Sequence, residues 1–186
     1  MRMNRRPMDD TRRQRFEALF SEVYEPIQRY VRRRVEPDAV DDVVSGTMLT
    51  LWRRLDEVPS AALAWSYGVA RRQIANHRRS GRRHLRLVQR AENEPRAATG
   101  FEHSLDAELH TALDALGDSD KEVLHLWAWE QLEPAEIAVV LGLTPNAISV
   151  RLNRAKKKLG ESLERTRKDQ ASSGHSHRES NKEERS

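Results

Sequence analysis

Apolar residues recur with a helical period along most of this chain, and no strand-like alternation stands out. The first stripe runs from Phe16 to Val31, with Pro26 as an expected kink or break. A second stripe, from Val40 to Leu55, follows Asp38, which is the predicted N-cap of that helix. A third helix is predicted over residues 61–80, with Gly81 as its stop. The pattern therefore predicts a helical domain at residues 12–90.

Residues 91–104 lose the period and gather Pro, Gly and polar side chains, which predicts a flexible linker. Residues 105–164 regain the period and predict four short helices, the last of them capped by Thr144 with Pro145 at its first position. The polar segments 1–11 and 165–186 are expected to be disordered. The predicted fold class is all-α, with two small helical domains joined by the linker.

Charge is spread very unevenly along the chain. The net charge is only +4, yet residues 71–90 hold eight arginines and no acid. Local basic faces of this kind indicate a polyanionic partner such as nucleic acid. The chain has no cysteine, which excludes disulfides, thiolate metal sites and thiol catalysis. It shows no apolar leader or membrane-length run, so we expect a soluble cytoplasmic protein without membrane insertion.

The strongest motif is "PAEIAVVLGLTPNAISVRLNRAKKKL" at residues 134–159. A short helix, a turn at Gly142 and a second helix entered through a Thr cap are typical of a helix-turn-helix. The groups suited to phosphates and to base edges in a major groove are Thr144, Asn146, Ser149, Arg151, Asn153, Arg154 and Lys157. An ordinary helical hairpin with a solvated basic face is the alternative, and the spacing favours DNA binding. The helix lacks the Trp/Phe face of a membrane-surface helix.

A second motif, at residues 64–87, surrounds aromatic and amide side chains with arginines. Such a combination suits single-stranded DNA, because cations follow the backbone while bases stack or enter pockets. The candidate residues are Trp65, Arg71, Arg72, Asn76, His77, Arg78, Arg79, Arg82 and Arg83. A solvated Arg-rich helix end explains this segment equally well, and Trp65 could be a core residue.

A third group, Asp38, Asp41 and Asp42, stands at the start of one predicted helix that also carries Trp52. The helix macrodipole is a sufficient reason for acids at this end. No further carboxylate or His cluster completes a metal site, and no nucleophile–base arrangement or Gly-rich phosphate loop is found. The sequence therefore predicts neither an enzyme nor a cofactor or metal.

Four segments in this order resemble the extracytoplasmic-function (ECF) sigma factors of bacterial RNA polymerase. They are "FEALFSEVYEPIQRYVRRRV", "DAVDDVVSGTMLTLWRRLD", "AWSYGVARRQIANHRRSGRR" and the region ending in "RLNRAKKKL", and the resemblance covers about residues 12–163. It implies that the residue 38–52 group (Asp38, Asp41, Asp42 and Trp52) contacts the β′ clamp helices, that segment 64–87 melts and reads the −10 element, and that helix 145–160 enters the −35 element. It also implies the β flap and an anti-sigma factor as further partners.

One departure and two alternatives accompany the resemblance. The family commonly has a Gln-Glu-Thr-Phe-like run where this chain has "SGTM" at 45–48, and Gly46 there costs ~1 kcal/mol of helix propensity relative to Ala. An autonomous helix-turn-helix regulator would bind an operator without polymerase. An RNA-binding adaptor would use the basic faces for binding driven by shape.

Overall fold

The computed structural model describes residues 7–88 and 107–183, and these form helices without strands. The α-helices are α1 (Pro7–Arg32), α2 (Val40–Arg53), α3 (Ala62–Val88), α4 (Ala107–Asp114), α5 (Asp118–Ala128), α6 (Pro134–Leu141) and α7 (Pro145–Glu183). Short 3-10 turns at Pro37–Ala39 and Leu55–Glu57 flank α2. The all-α class predicted from the periodicity is confirmed.

The chain divides into two compact units. One contains α1, α2, α3 and α6, and the other contains α4, α5 and α7. The predicted linker at 91–104 lies outside the described residues. The predicted domain boundaries at 90 and 105 therefore stay a prediction.

In the first unit, α1, α2 and α3 pack against one another. The helical stripes predicted from the sequence supply this core, and Val23, Ile27, Tyr30, Leu51 and Ala70 are completely buried. Apolar residues at i, i+4 and i+7 line one side of a helix, so each helix gives a single face to the other two. α1 continues through Pro26 without ending there.

In the second unit, α4 and α5 pack onto the first part of α7. Val123 and Leu126 of α5 and Ile148 and Ala155 of α7 are completely buried in it. α7 then continues as a helix to Glu183, through the segment for which the sequence predicts disorder. The stretch from 165 onward has no large aliphatic stripe, so its helix is extended by backbone hydrogen bonds rather than by packing.

Two predicted helix ends were wrong. Gly81 does not stop α3, which continues to Val88. A glycine ends a helix when it takes up the left-handed conformation, and Gly142 is the only described glycine with positive φ. Asp38 does not cap α2: it lies in the Pro37–Ala39 turn, and Ala39 occupies the N-cap position without a side-chain cap hydrogen bond.

Within the described ranges, no single helix is both long and apolar enough to cross a membrane. α6 and the first part of α7 reach that length and composition only as a pair, and a bend of 106° separates them.

Candidate nucleic-acid interfaces

The entry into α7 is built by a turn and a side-chain cap. Gly142 has φ of 67°, and the backbone N–H of Leu143 donates to the carbonyl oxygen of Ala138 over 3.0 Å, so α6 ends in a left-handed C-cap. The hydroxyl of Thr144 then accepts a hydrogen bond from the backbone N–H of Ala147 at 3.2 Å. The turn at Gly142 and the Thr144 cap predicted from the sequence are both confirmed.

α7 has a buried stripe and an exposed polar face. Ile148, Leu152 and Ala155 point inward, with exposed fractions of 0%, 5% and 0%. Because a helix advances by about 100° per residue, the face opposite this stripe is centred between Asn146 and Val150. The fully exposed residues among those predicted to bind DNA are Thr144, Asn146, Asn153, Arg154 and Lys157. Ser149 and Arg151 are half-buried on the two flanks of the same face.

A buried carboxylate holds one of these side chains. Asp120 of α5 accepts hydrogen bonds from Arg154 Nη2 at 3.1 Å and from Lys158 Nζ at 2.8 Å, and its side chain is only 5% exposed. The hydrogen bond from Lys158 lowers the pKa of Asp120 below its ordinary value; burial opposes this shift and Arg154 adds to it. Arg154 is therefore anchored to α5 as well as exposed. Sequence reasoning missed Asp120, since nothing local links it to residues more than thirty positions away.

α3 presents a second polar face. Trp65, Arg72, Asn76 and Arg79 recur at intervals of seven, four and three residues, which places them on the side opposite the buried Tyr67, Ala70 and Ile74. Arg79 Nη2 donates to Asn76 Oδ1 over 2.7 Å. Trp65 is half-buried, with the guanidinium carbon of Arg54 5.2 Å from its ring centroid. The tryptophan thus lies at the edge of the core, next to a cation.

The other predicted residues of this segment lie away from that face. Arg71 and Arg78 follow one flank of α3, and Arg78 Nη2 donates to the carbonyl oxygen of Arg34 at 2.8 Å. His77 is exposed on the other flank. The side chains of Arg82 and Arg83 lie outside the described residues. Of the predicted group, the structure brings Trp65, Arg72, Asn76 and Arg79 together.

The predicted polymerase contacts adjoin an open groove between α1 and α2. Asp41 and Trp52 line it, while Asp42 is exposed beside it and Asp38 is exposed in the preceding turn. The groove is lined mainly by apolar and aromatic side chains: Phe16, Phe20, Tyr24, Val44, Met48 and Leu49, with Ser45 among them. Phe20 and Leu49 are 37% and 48% exposed. Sequence reasoning assigned this aromatic row to the core, because helical spacing does not distinguish a core stripe from a surface groove.

The groove is held by aromatic contacts. The rings of Phe16 and Trp52 meet edge-on at 5.2 Å, and those of Phe20 and Tyr24 stack at 4.7 Å. Gly46, the departure noted in the sequence, lies elsewhere: a Cβ on it would be 3.6 Å from Gln73 Oε1 of α3. Gln73 Nε2 donates to the Gly46 carbonyl oxygen at 3.3 Å. Ser45 thus faces the groove and Gly46 faces α3. Among the residues searched, which are those the structure describes, no group of three or more His, Cys, Asp or Glu could hold a metal ion.

Comparison with known proteins identifies the family. The Sigma-70 region 2 family matches residues 19–84, and the Sigma-70 region 4 family matches residues 106–159. The RNA polymerase sigma-E factor of Streptomyces avermitilis is 30% identical over 138 residues, which cover 71% of this chain and 76% of that protein. This chain belongs to the ECF sigma factors. It is an alternative sigma factor that directs transcription by RNA polymerase, and its family is not a class of enzymes.

Solved structures agree with this fold. The sigma factor RpoE in its complex with the anti-sigma factor NepR from Bartonella quintana has a TM-score of 0.58 at 21% identity, over 80% of this chain and 96% of that one. CnrH, in complex with the cytosolic domain of CnrY, has a TM-score of 0.53 at 25% identity, over 80% and 87%. The comparisons give no support to the autonomous regulator considered from the sequence.

Proposed function

We propose that this sigma factor binds core RNA polymerase through the α1–α2 groove and its acidic rim, opens and reads the −10 element with α3, and reads the −35 element with α7. The observation that carries the proposal is the face of α7, where polar and basic side chains stand opposite a fully buried stripe directly after a capped turn.

The α7 face has the composition that a major groove requires. Asn146 and Asn153 can pair with base edges, while Arg151, Arg154 and Lys157 can neutralise phosphates. A helix-turn-helix inserts the N-terminal turns of its second helix, and Asn146 and Ser149 lie in those turns of α7. The N-terminus of α7 also offers free backbone N–H groups to a phosphate. These properties support assignment of α7 to the −35 element.

The α3 face suits DNA whose strands have separated. Arg72 and Arg79 are exposed seven residues apart, so they can follow a phosphate backbone along two turns of helix. Asn76 between them offers donors and an acceptor to an unpaired base, and half-exposed Trp65 offers a ring for stacking. A half-exposed aromatic in line with cations favours the single-strand interpretation over a merely solvated helix end.

The α1–α2 groove suits a helical partner. Apolar grooves of this kind receive the apolar side of an amphipathic helix, and the rim acids Asp41 and Asp42 favour a partner with basic residues. We assign the β′ clamp helices to this groove, and the β flap to the second unit. An anti-sigma factor and a cytoplasmic location are part of the same proposal; the solved structures of RpoE with NepR and of CnrH with CnrY support the anti-sigma partner.

Leu49→Arg tests the groove. Leu49 is 48% exposed, so the change places a guanidinium in the groove at small cost to folding. We expect affinity for core polymerase to fall about tenfold or more in a fluorescence titration, with an unchanged helical circular dichroism spectrum. Glu22→Arg is the matched control, because exposed Glu22 on α1 does not line the groove. Equal core affinity of Leu49→Arg and the wild-type protein would contradict the assignment.

Transcription in vitro tests the function itself. With core polymerase and a library of genomic fragments, we expect transcripts that start at defined promoters only when this sigma factor is added. Sequence-specific binding of duplex DNA by the protein without polymerase, and no such transcripts, would show an autonomous regulator instead. Retention on structured RNA without either activity would show an RNA-binding adaptor.

A further inference from the structure

One side chain on the reading face of α7 has no polar group. Val150 is 62% exposed, more than any other large hydrophobic side chain among the described residues. It lies on the side of α7 away from Ile148, Leu152 and Ala155, so it takes no part in their packing. A β-branched residue also has a lower helix propensity than the Lys, Arg or Gln typical of a solvated face. Folding of the second unit therefore gives no reason for a valine here.

The position of Val150 is central to the proposed DNA contact. At about 100° per residue, it lies roughly 40° around the helix from both Asn146 and Arg154, and roughly 60° from Asn153. It stands in the second turn of α7, within the part of a recognition helix that reaches the bases. An apolar side chain is thus flanked by two amides and a guanidinium.

The major groove offers few partners for such a side chain. The edges of adenine, guanine and cytosine present hydrogen-bonding groups there, whereas thymine also presents its C5-methyl group. A Val side chain pressed against a polar base edge would leave that edge unpaired, which disfavours the other bases. We propose that Val150 is a specificity-determining residue that contacts the methyl group of one thymine in the upstream element. The proposal rests on the function proposed above.

Removal of single methyl groups from the DNA tests it. A promoter is first obtained by transcription of genomic fragments with the holoenzyme, and each thymine upstream of its −10 element is then replaced by deoxyuridine, one at a time on either strand. We expect one replacement to weaken binding by the wild-type holoenzyme about fourfold, the loss of one buried methyl group. Val150→Ala should bind the thymine and deoxyuridine versions of that site equally.

Two further variants make the result specific. Val150→Thr keeps one methyl group at the same position and should retain discrimination between thymine and deoxyuridine. Val139→Ala removes another exposed valine, 43% exposed on α6, and should behave as the wild-type protein does. If transcripts are promoter-specific but every deoxyuridine is tolerated, or Val150→Ala still discriminates at the same site, the role of Val150 is overturned while the proposed function stands. Absence of promoter-specific transcripts overturns both.

Discussion

At the scale of single residues, Asp120 shows how a buried charge can set the position of a DNA-binding side chain. Its carboxylate is 5% exposed, and it accepts hydrogen bonds from Arg154 and Lys158 of α7. The two cations are 59% and 48% exposed, so they remain hydrated when the carboxylate is lost. We therefore expect Asp120→Asn to lower the free energy of unfolding by about 1–2 kcal/mol at pH 7, as measured by urea denaturation.

The effect of Asp120→Asn should depend on pH. The pKa of Asp120 is lowered in the folded protein, first by the hydrogen bond from Lys158, so folded protein binds the proton more weakly than unfolded protein does. Its stabilisation is complete above about pH 5 and is lost as the pH falls through the lowered pKa. The gap between wild type and Asp120→Asn should thus be constant from pH 5.5 to 8 and narrow below about pH 4.

Asp114→Asn supplies the control for this measurement. Asp114 pairs with Lys121 over 2.9 Å but is 61% exposed, so its removal should cost less than about 0.5 kcal/mol at pH 7. Equal losses for the two variants would show that burial of the Asp120 ion pair has no special effect. Loss of −35 binding in Asp120→Asn at unchanged stability would show that the carboxylate acts by positioning Arg154.

At the scale of elements, two glycines near the start and middle of α7 should respond oppositely to alanine. Gly142 has φ of 67°, so a Cβ there costs about 1–2 kcal/mol even though open space surrounds it. Gly160 lies inside α7 with nothing within 4 Å of a Cβ, so alanine should stabilise the helix by about 0.5–1 kcal/mol. Thermal unfolding measures both changes. A shift in the same direction for the two variants would contradict a left-handed cap at Gly142.

The elements also show which features the sequence could predict. Helical stripes such as Val23–Ile27–Tyr30 are periodic, so the helices and their inward faces were predictable. Helix ends depend on short-range competition that the pattern does not reveal: Asp38 was absorbed into a 3-10 turn, and Gly81 kept helical geometry. The α1–α2 groove was not predictable, because whether Phe20 and Leu49 meet a third helix or solvent depends on how the helices pack.

At the scale of the whole molecule, a net charge of only +4 conceals two separate cationic faces, Arg72 and Arg79 on α3 and Arg151 and Lys157 on α7. Sequence reasoning found both segments, because clustered arginines with amides are visible in any linear pattern. It could not sort them into faces, nor see that Arg78 and Arg154 are held by Arg34 and Asp120. Those contacts join residues far apart in the chain.

The two faces should neutralise different phosphates, and salt dependence can separate them. On fork-junction DNA that ends just upstream of a single-stranded −10 element, Arg72→Ala/Arg79→Ala in the holoenzyme should reduce the slope of log affinity against log salt by about 1.4, or 0.7 per single-strand phosphate. Arg151→Ala/Lys157→Ala should leave that slope unchanged.

On duplex promoter DNA that includes the upstream element, the α7 pair should instead reduce the slope by about 1.8, or 0.9 per duplex phosphate. Each double variant removes two cations, so a difference between them cannot arise from net charge alone. Equal slope changes for both variants on both DNAs would mean that the faces attract DNA only through a general field, and the assignment of α3 and α7 to separate promoter elements would be wrong.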